Sequence, residues 1–200
     1  MHLMLCSFLG CGVCWPLTMT IEPGRDDIEK SLNESLKKLD QYGIQKRSVR
    51  CVFMTAGNAF RCDDGIGQYL AVQLAPVLRG CDWIRLIDAG TTPENYIDEV
   101  IGFAPQLVVF LDAANFGGKT GEFVLIEDET ALPQSASSTH AIPLNLIAAL
   151  IKTECDCAVV YIGIQAEDMQ PGQALTQNVK AAADLFVMEI GARITGGTDA

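Results

Sequence analysis

Over residues 50–192 the chain alternates short, unbroken apolar runs with segments of helical period, a pattern that very few folds can satisfy. Arg50-Cys-Val-Phe-Met-Thr-Ala56 is a run of strand formers that stops at Gly57-Asn58. Over residues 63–78, Ile66, Leu70, Leu74 and Leu78 then recur at four-residue steps, behind two aspartates that suit a helix N-terminus. The unit repeats. Residues 83–87 form a strand ending at Asp88-Ala89-Gly90, and Pro93 opens a helix carrying Tyr96, Ile97 and Val100. Residues 107–111 form a third strand ending at Asp112. After a Gly117-Gly118 turn, residues 122–127 form a fourth, an edge strand expected to be antiparallel because the chain returns so quickly. A helix over 143–152, a strand over 158–164 and a helix over 176–192 complete the series. Strands that are apolar along their whole length must be covered on both faces. The predicted fold is therefore α/β: a three-layer sandwich with a twisted, mostly parallel five-stranded sheet between helices.

Upstream, residues 26–40 place Ile28, Leu32, Leu36 and Leu39 on one face of an amphipathic helix that ends before Gly43. No linker, repeat or low-complexity tract divides the chain beyond its first eighteen residues, so 19–200 are read as a single domain. Residues 1–18 are apolar, with His2 as the one titratable exception besides cysteines. They lack the positive start and small-residue cleavage site of a signal peptide, and Pro16 interrupts them before a membrane span is complete. They are read as a dispensable N-terminal extension, with Met19 as an alternative start. A net charge of −11 repels phosphate backbones and anionic lipid, which excludes nucleic acid and membrane insertion and favours a basic peptide or a cation. The eight cysteines are scattered and several lie in strand-like runs, as expected for reduced thiols in a cytoplasmic protein. Neither Cys155-Asp-Cys157 nor the Cys6, Cys11, Cys14 group has zinc-site spacing.

Ligands of such sheets bind beyond the carboxyl ends of the strands. That rule selects Asp63 and Asp64 after the first strand, Asp88 after the second, Asp112 after the third, and His140 before a helix. Carboxylates crowded at one edge repel unless a cation or shared protons relieve them. Two carboxylates with an imidazole suit a borderline divalent ion such as nickel or zinc. Each residue also has a plainer role: Asp64 and His140 as helix caps, Asp88 and Asp112 as acceptors for loop amides. Gly118-Lys119-Thr120 is no P-loop, because Ala113 stands where the first glycine is required and a strand follows. Gly65-Ile66-Gly67 is half a dinucleotide fingerprint and lies inside the helix start. A Cys62–His140 nucleophile pair is a variant that would forgo the metal.

Five motifs in order resemble those of the hydrogenase maturation endopeptidases. They are Gly57-Asn58 with Asp63-Asp64-Gly65-x-Gly67; Ile87-Asp88-Ala89-Gly90-Thr91-x-Pro93-Glu94-Asn95; Leu111-Asp112-Ala113-Ala114; Ser138-Thr139-His140-x-x-Pro143-Leu144; and Gly163-Ile164-Gln165. Order and spacing are most similar to the branch serving formate-hydrogenlyase-type hydrogenases. The resemblance implies an endopeptidase, monomeric, that removes a C-terminal extension from a [NiFe] hydrogenase large-subunit precursor after nickel insertion. It implies metal binding and catalysis by Asp64, Asp112 and His140, with Gly57, Asn58, Asp63, Asp88, Gly90 and Thr139 in support. The nickel would come with the substrate, zinc could replace it, and no organic cofactor is implied. The chain departs from the family at Cys62, commonly a glycine, and in residues 1 to about 48, which have no counterpart in the shortest members, although a helix before the first strand is similar to that of some longer ones. The metal could take either of two roles: it activates the scissile carbonyl or a water with Asp64 as base, or it docks the substrate while the carboxylates act as an acid–base pair. Two rival functions share these residues or this build: a nickel-dependent binding module that does not cleave, and a peptidyl-tRNA hydrolase-like enzyme, which the acidic charge disfavours.

Overall fold

A computed structural model of the protein describes residues 24–127 and 142–196. Five strands of the described residues make one sheet: β1 (Cys51–Thr55), β2 (Ile84–Asp88), β3 (Leu107–Ala114), β4 (Phe123–Ile126) and β5 (Ala158–Gln165). The spatial order is β2-β1-β3-β5-β4. β1 pairs in parallel with β2 and β3, and β3 with β5. β4 alone is antiparallel, at the edge beside β5. Among the described residues five α-helices cover the sheet: α1 (Arg25–Asp40), α2 (Ile66–Val77), α3 (Ile97–Phe103), α4 (Leu144–Glu154) and α5 (Gln177–Gly196).

The alternation of side chains along each strand feeds two cores. Cys51, Phe53, Leu107, Val109 and Leu111 pack under α1, α2 and α5. Val52, Met54, Val108 and Phe110 pack under α3 and α4 on the opposite face. α1 buries the predicted stripe of Ile28, Leu32, Leu36 and Leu39. The three predicted layers and the antiparallel edge strand are thus present.

Element limits differ from expectation for physical reasons. β3 does not stop at Asp112 but continues to Ala114, because β5 still pairs with it through Asp112↔Gly163, Ala113↔Ile164 and Ala114↔Gln165. The apolar run ends earlier than the hydrogen-bond ladder does. The helix expected over 63–78 opens instead as a 3-10 turn, Cys62–Gly65, before α2 begins. The segment after Pro93 likewise starts as a 3-10 turn, Pro93–Tyr96. Thr139, His140 and the extension 1–18 lie outside the described residues. Among the described residues no helix is long and apolar enough to cross a membrane.

From β1 the chain moves to one side to make β2, then crosses to the other side to make β3. The carboxyl edge between β1 and β3 is therefore the topological switch point, where sheets of this kind bind their ligands.

Candidate active site at the switch point

β1 is tied to both neighbours as it ends. The Ala56 N–H donates to the Leu111 carbonyl at 2.9 Å, and the Gly57 N–H to the Gly90 carbonyl at 2.9 Å. Gly57 then turns the chain at φ 138°, a conformation open to glycine. A Cβ there would also stand 2.0 Å from the Asp64 carbonyl oxygen. That same oxygen accepts the Asn58 N–H at 2.8 Å, while the Asn58 side chain accepts the Phe60 N–H at 3.0 Å. Gln68 reaches back from α2 to the Gly57 carbonyl at 2.8 Å. The loop is closed by backbone, which fixes where Asp64 lies.

Asp64 is 3% exposed. Its 3-10 turn packs against β3. Asp112 is half-buried on β3, one position beyond Leu111, the last residue paired with β1, and one of its oxygens accepts the Ala113 N–H at 2.8 Å. The structure thus brings the carriers of Asp64 and Asp112 to the switch point. Alternation from Val108 and Phe110 puts Asp112 on the α3–α4 face of β3.

The other acidic candidates have different tasks. Asp63 is fully buried. Its Oδ1 accepts the Thr176 N–H at 2.7 Å, and its Oδ2 accepts the Glu167 N–H at 2.9 Å, the Asp168 N–H at 3.0 Å and the Thr176 hydroxyl at 3.0 Å. Asp88 is exposed, lies on β2 beyond β1 from Asp112, and accepts the Gly90 N–H at 3.3 Å, so it shapes the turn that receives Gly57. Among the described residues no three His, Cys, Asp or Glu side chains group closely enough to hold a metal ion by themselves.

Cys62 has φ 44°. A backbone conformation that glycine would take without cost is held here with a side chain in place. Its thiol pKa is raised, by desolvation and by the Asp168 and Asp63 carboxylates. An acidic neighbourhood that suppresses thiolate makes Cys62 a poor nucleophile.

Two further residues stand in the motifs but are given no role by sequence reasoning. Gln165, buried at the end of β5, accepts the Phe116 and Gly118 N–H groups at 2.9 and 3.2 Å and so anchors the loop after β3. Gly67 lets α2 approach β1, since a Cβ would stand 1.9 Å from the Ala56 carbonyl oxygen. A glutamine ending an apolar run, and a second glycine two positions after the first, were the visible signals.

Comparison with known proteins places this arrangement. The family model for HycI, hydrogenase maturation protease, matches residues 69–192. The hydrogenase 3 maturation protease of Escherichia coli K12 is 30% identical over 133 residues, which is 66% of this chain and 83% of that protein. The structure of the [NiFe] hydrogenase maturation protease HycI from Thermococcus kodakarensis superposes with a TM-score of 0.68 at 29% identity, covering 74% of this chain and 93% of that one. The hydrogenase maturating endopeptidase HybD of E. coli shares the fold at 20% identity, with a TM-score of 0.61 and coverage of 74% and 94%. Sequence and fold agree, and this chain belongs to the hydrogenase maturation protease family.

Proposed function

We propose that this protein is a cytoplasmic endopeptidase that removes the C-terminal extension of a [NiFe] hydrogenase large-subunit precursor once nickel is in place. Asp64, Asp112 and His140 bind the nickel that the substrate carries. The observation that carries this reading is the meeting of the Asp64 turn with the Asp112 strand at the switch point of the sheet. Oxygen donors at that edge fit a divalent cation, and an imidazole would complete a borderline set.

His140 joins the set through the likeness of Thr139-His140 to the family's motif. The start of α4 is tied to the sheet: the Tyr161 hydroxyl donates to the Leu144 carbonyl at 2.7 Å, and the Tyr161 ring stacks on Phe110 at 5.0 Å. Phe110 and Asp112 lie on the same face of β3.

The chain's own groups hold the precursor so that the scissile amide faces a carboxylate. Water adds across the amide, its hydroxyl going to the carbonyl carbon and its proton, taken up by Asp64, passing to the departing amine. Nickel in the substrate contributes Lewis acidity and a docking point when bound. Zinc would be accepted in its place.

The test is direct. Nickel-loaded precursor incubated with the protein should lose a C-terminal peptide, seen as a mass decrease of the large subunit. Nickel-dependent binding without any shortening would instead identify a recognition module, and no interaction would defeat both readings.

A further inference from the structure

Two aspartates stand side by side, and the fold treats them differently. Asp64 is buried in the turn that packs against β3. Asp63 is committed elsewhere and accepts four hydrogen bonds, three from backbone N–H groups and one from a hydroxyl. A buried carboxylate with both oxygens engaged by the protein has little capacity left for a cation or a peptide.

All four donors belong to one stretch of chain, residues 166–176, between β5 and α5. This segment touches both carriers of the site. On one side it meets the Asp64 loop: the Asp63 N–H donates to the Asp168 carbonyl at 2.9 Å, the Cys62 N–H to the Gly172 carbonyl at 3.1 Å, and the Gly172 N–H to the Phe60 carbonyl at 2.9 Å. The Arg61 side chain adds a bond to the Met169 carbonyl at 3.1 Å. On the other side the Ala166 N–H donates to the Ala114 carbonyl at 3.0 Å, two residues past Asp112. The segment is a strap from the Asp64 loop to the end of β3.

We infer that Asp63 is a positioning residue: it holds the strap 166–176, and through the strap sets where Asp64 stands relative to Asp112. The inference rests on the function proposed for Asp64 and Asp112. It explains why two adjacent carboxylates are needed, since one organises the backbone around the other.

Asp63→Asn tests this with minimal change of shape. Its single oxygen can satisfy one side of the carboxylate, and its amide then points a donor at donors on the other side. In the full-length protein, without substrate, amide hydrogen exchange at 167, 168 and 176 should quicken by about tenfold or more, while the core strands keep their protection. Trimming of nickel-loaded precursor, assayed well below the melting midpoint, should fall about 10- to 100-fold in kcat. KM should stay within about twofold, as expected when orientation and not binding is lost. Thr176→Ser should retain wild-type kcat, and Thr176→Val should lie between.

Normal kcat in Asp63→Asn would overturn the inference whatever the exchange data show. Reduced kcat with unchanged exchange would also overturn it, because Asp63 would then act on the substrate directly. Should Asp63→Asn fail to fold, Thr176→Val against Thr176→Ser makes the same comparison. Failure of the wild-type protein to trim would count against the proposed function, while the exchange arm would still report on the strap.

Discussion

A methyl group added at Gly67 would lie 1.9 Å from the Ala56 carbonyl oxygen and 2.6 Å from its carbon. Backbone cannot yield as a flexible side chain can, so α2 would have to move off the end of β1. Gly67→Ala should destabilise the protein by about 2–3 kcal/mol, against the slight gain normally expected of alanine in a helix, as read by urea or thermal unfolding. A variant as stable as wild type would mean that α2 shifts without cost. His140→Ala makes the contrasting case. A residue near a helix start that serves as a ligand buries little apolar area, so folding should lose at most about 1 kcal/mol. Trimming should nevertheless be abolished, because Asp64 and Asp112 would be left as two carboxylates without their third partner. Thermal melts and precursor shortening on one preparation check both halves; normal melting with wild-type trimming would remove His140 from the site.

The elements were legible from period and punctuation, and the reasons are specific. The α1 stripe of Ile28, Leu32, Leu36 and Leu39 faces the core as its spacing requires. All five residues of β1 are buried, as an unbroken apolar run demands. What could not be read was that the ladder continues past a polar residue, as β3 does through Asp112 to Ala113 and Ala114, because their pairing depends on β5, which is distant in sequence. Nor could the division of labour between Asp63 and Asp64 be seen, since it turns on donors from residues 167, 168 and 176. The contact between α2 and α5 carries a pH-dependent tie of the same long-range kind. Tyr69 donates to Asp184 at 2.5 Å and Lys180 donates to it at 2.8 Å. Partial desolvation opposes ionisation of Asp184, but the bonds from Lys180 and Tyr69 outweigh it and lower its pKa. A carboxylate depressed in the folded state contributes stability above its unfolded pKa of about 3.9, and loses it as pH falls through the folded value. Asp184→Asn should therefore be less stable than wild type at pH 7, by no more than about 1 kcal/mol for so exposed a pair, and the gap should close in strong acid. Equal stability at pH 7 would show that the tie is solvated away.

For the molecule as a whole, α1 buries its apolar face against the core that α2 and α5 share, so the domain needs the chain from α1 onward. Deleting residues 1–18 should leave the melting midpoint and precursor trimming unchanged; loss of soluble protein on truncation would show that the extension packs on the domain. The net charge of −11 should make capture of a basic precursor tail faster at low ionic strength than at high, without altering the fold. One last consequence concerns divergence among relatives. Because Asp63 grips residues 167 and 168 through their main-chain N–H groups, the side chain at 167 is not what holds the strap, whereas the Asp168 carboxylate still braces the strap's own turn by accepting the Gln170 N–H at 2.8 Å. Position 167 can therefore drift toward new substrates while the grip persists, with proline barred there because it has no N–H to give.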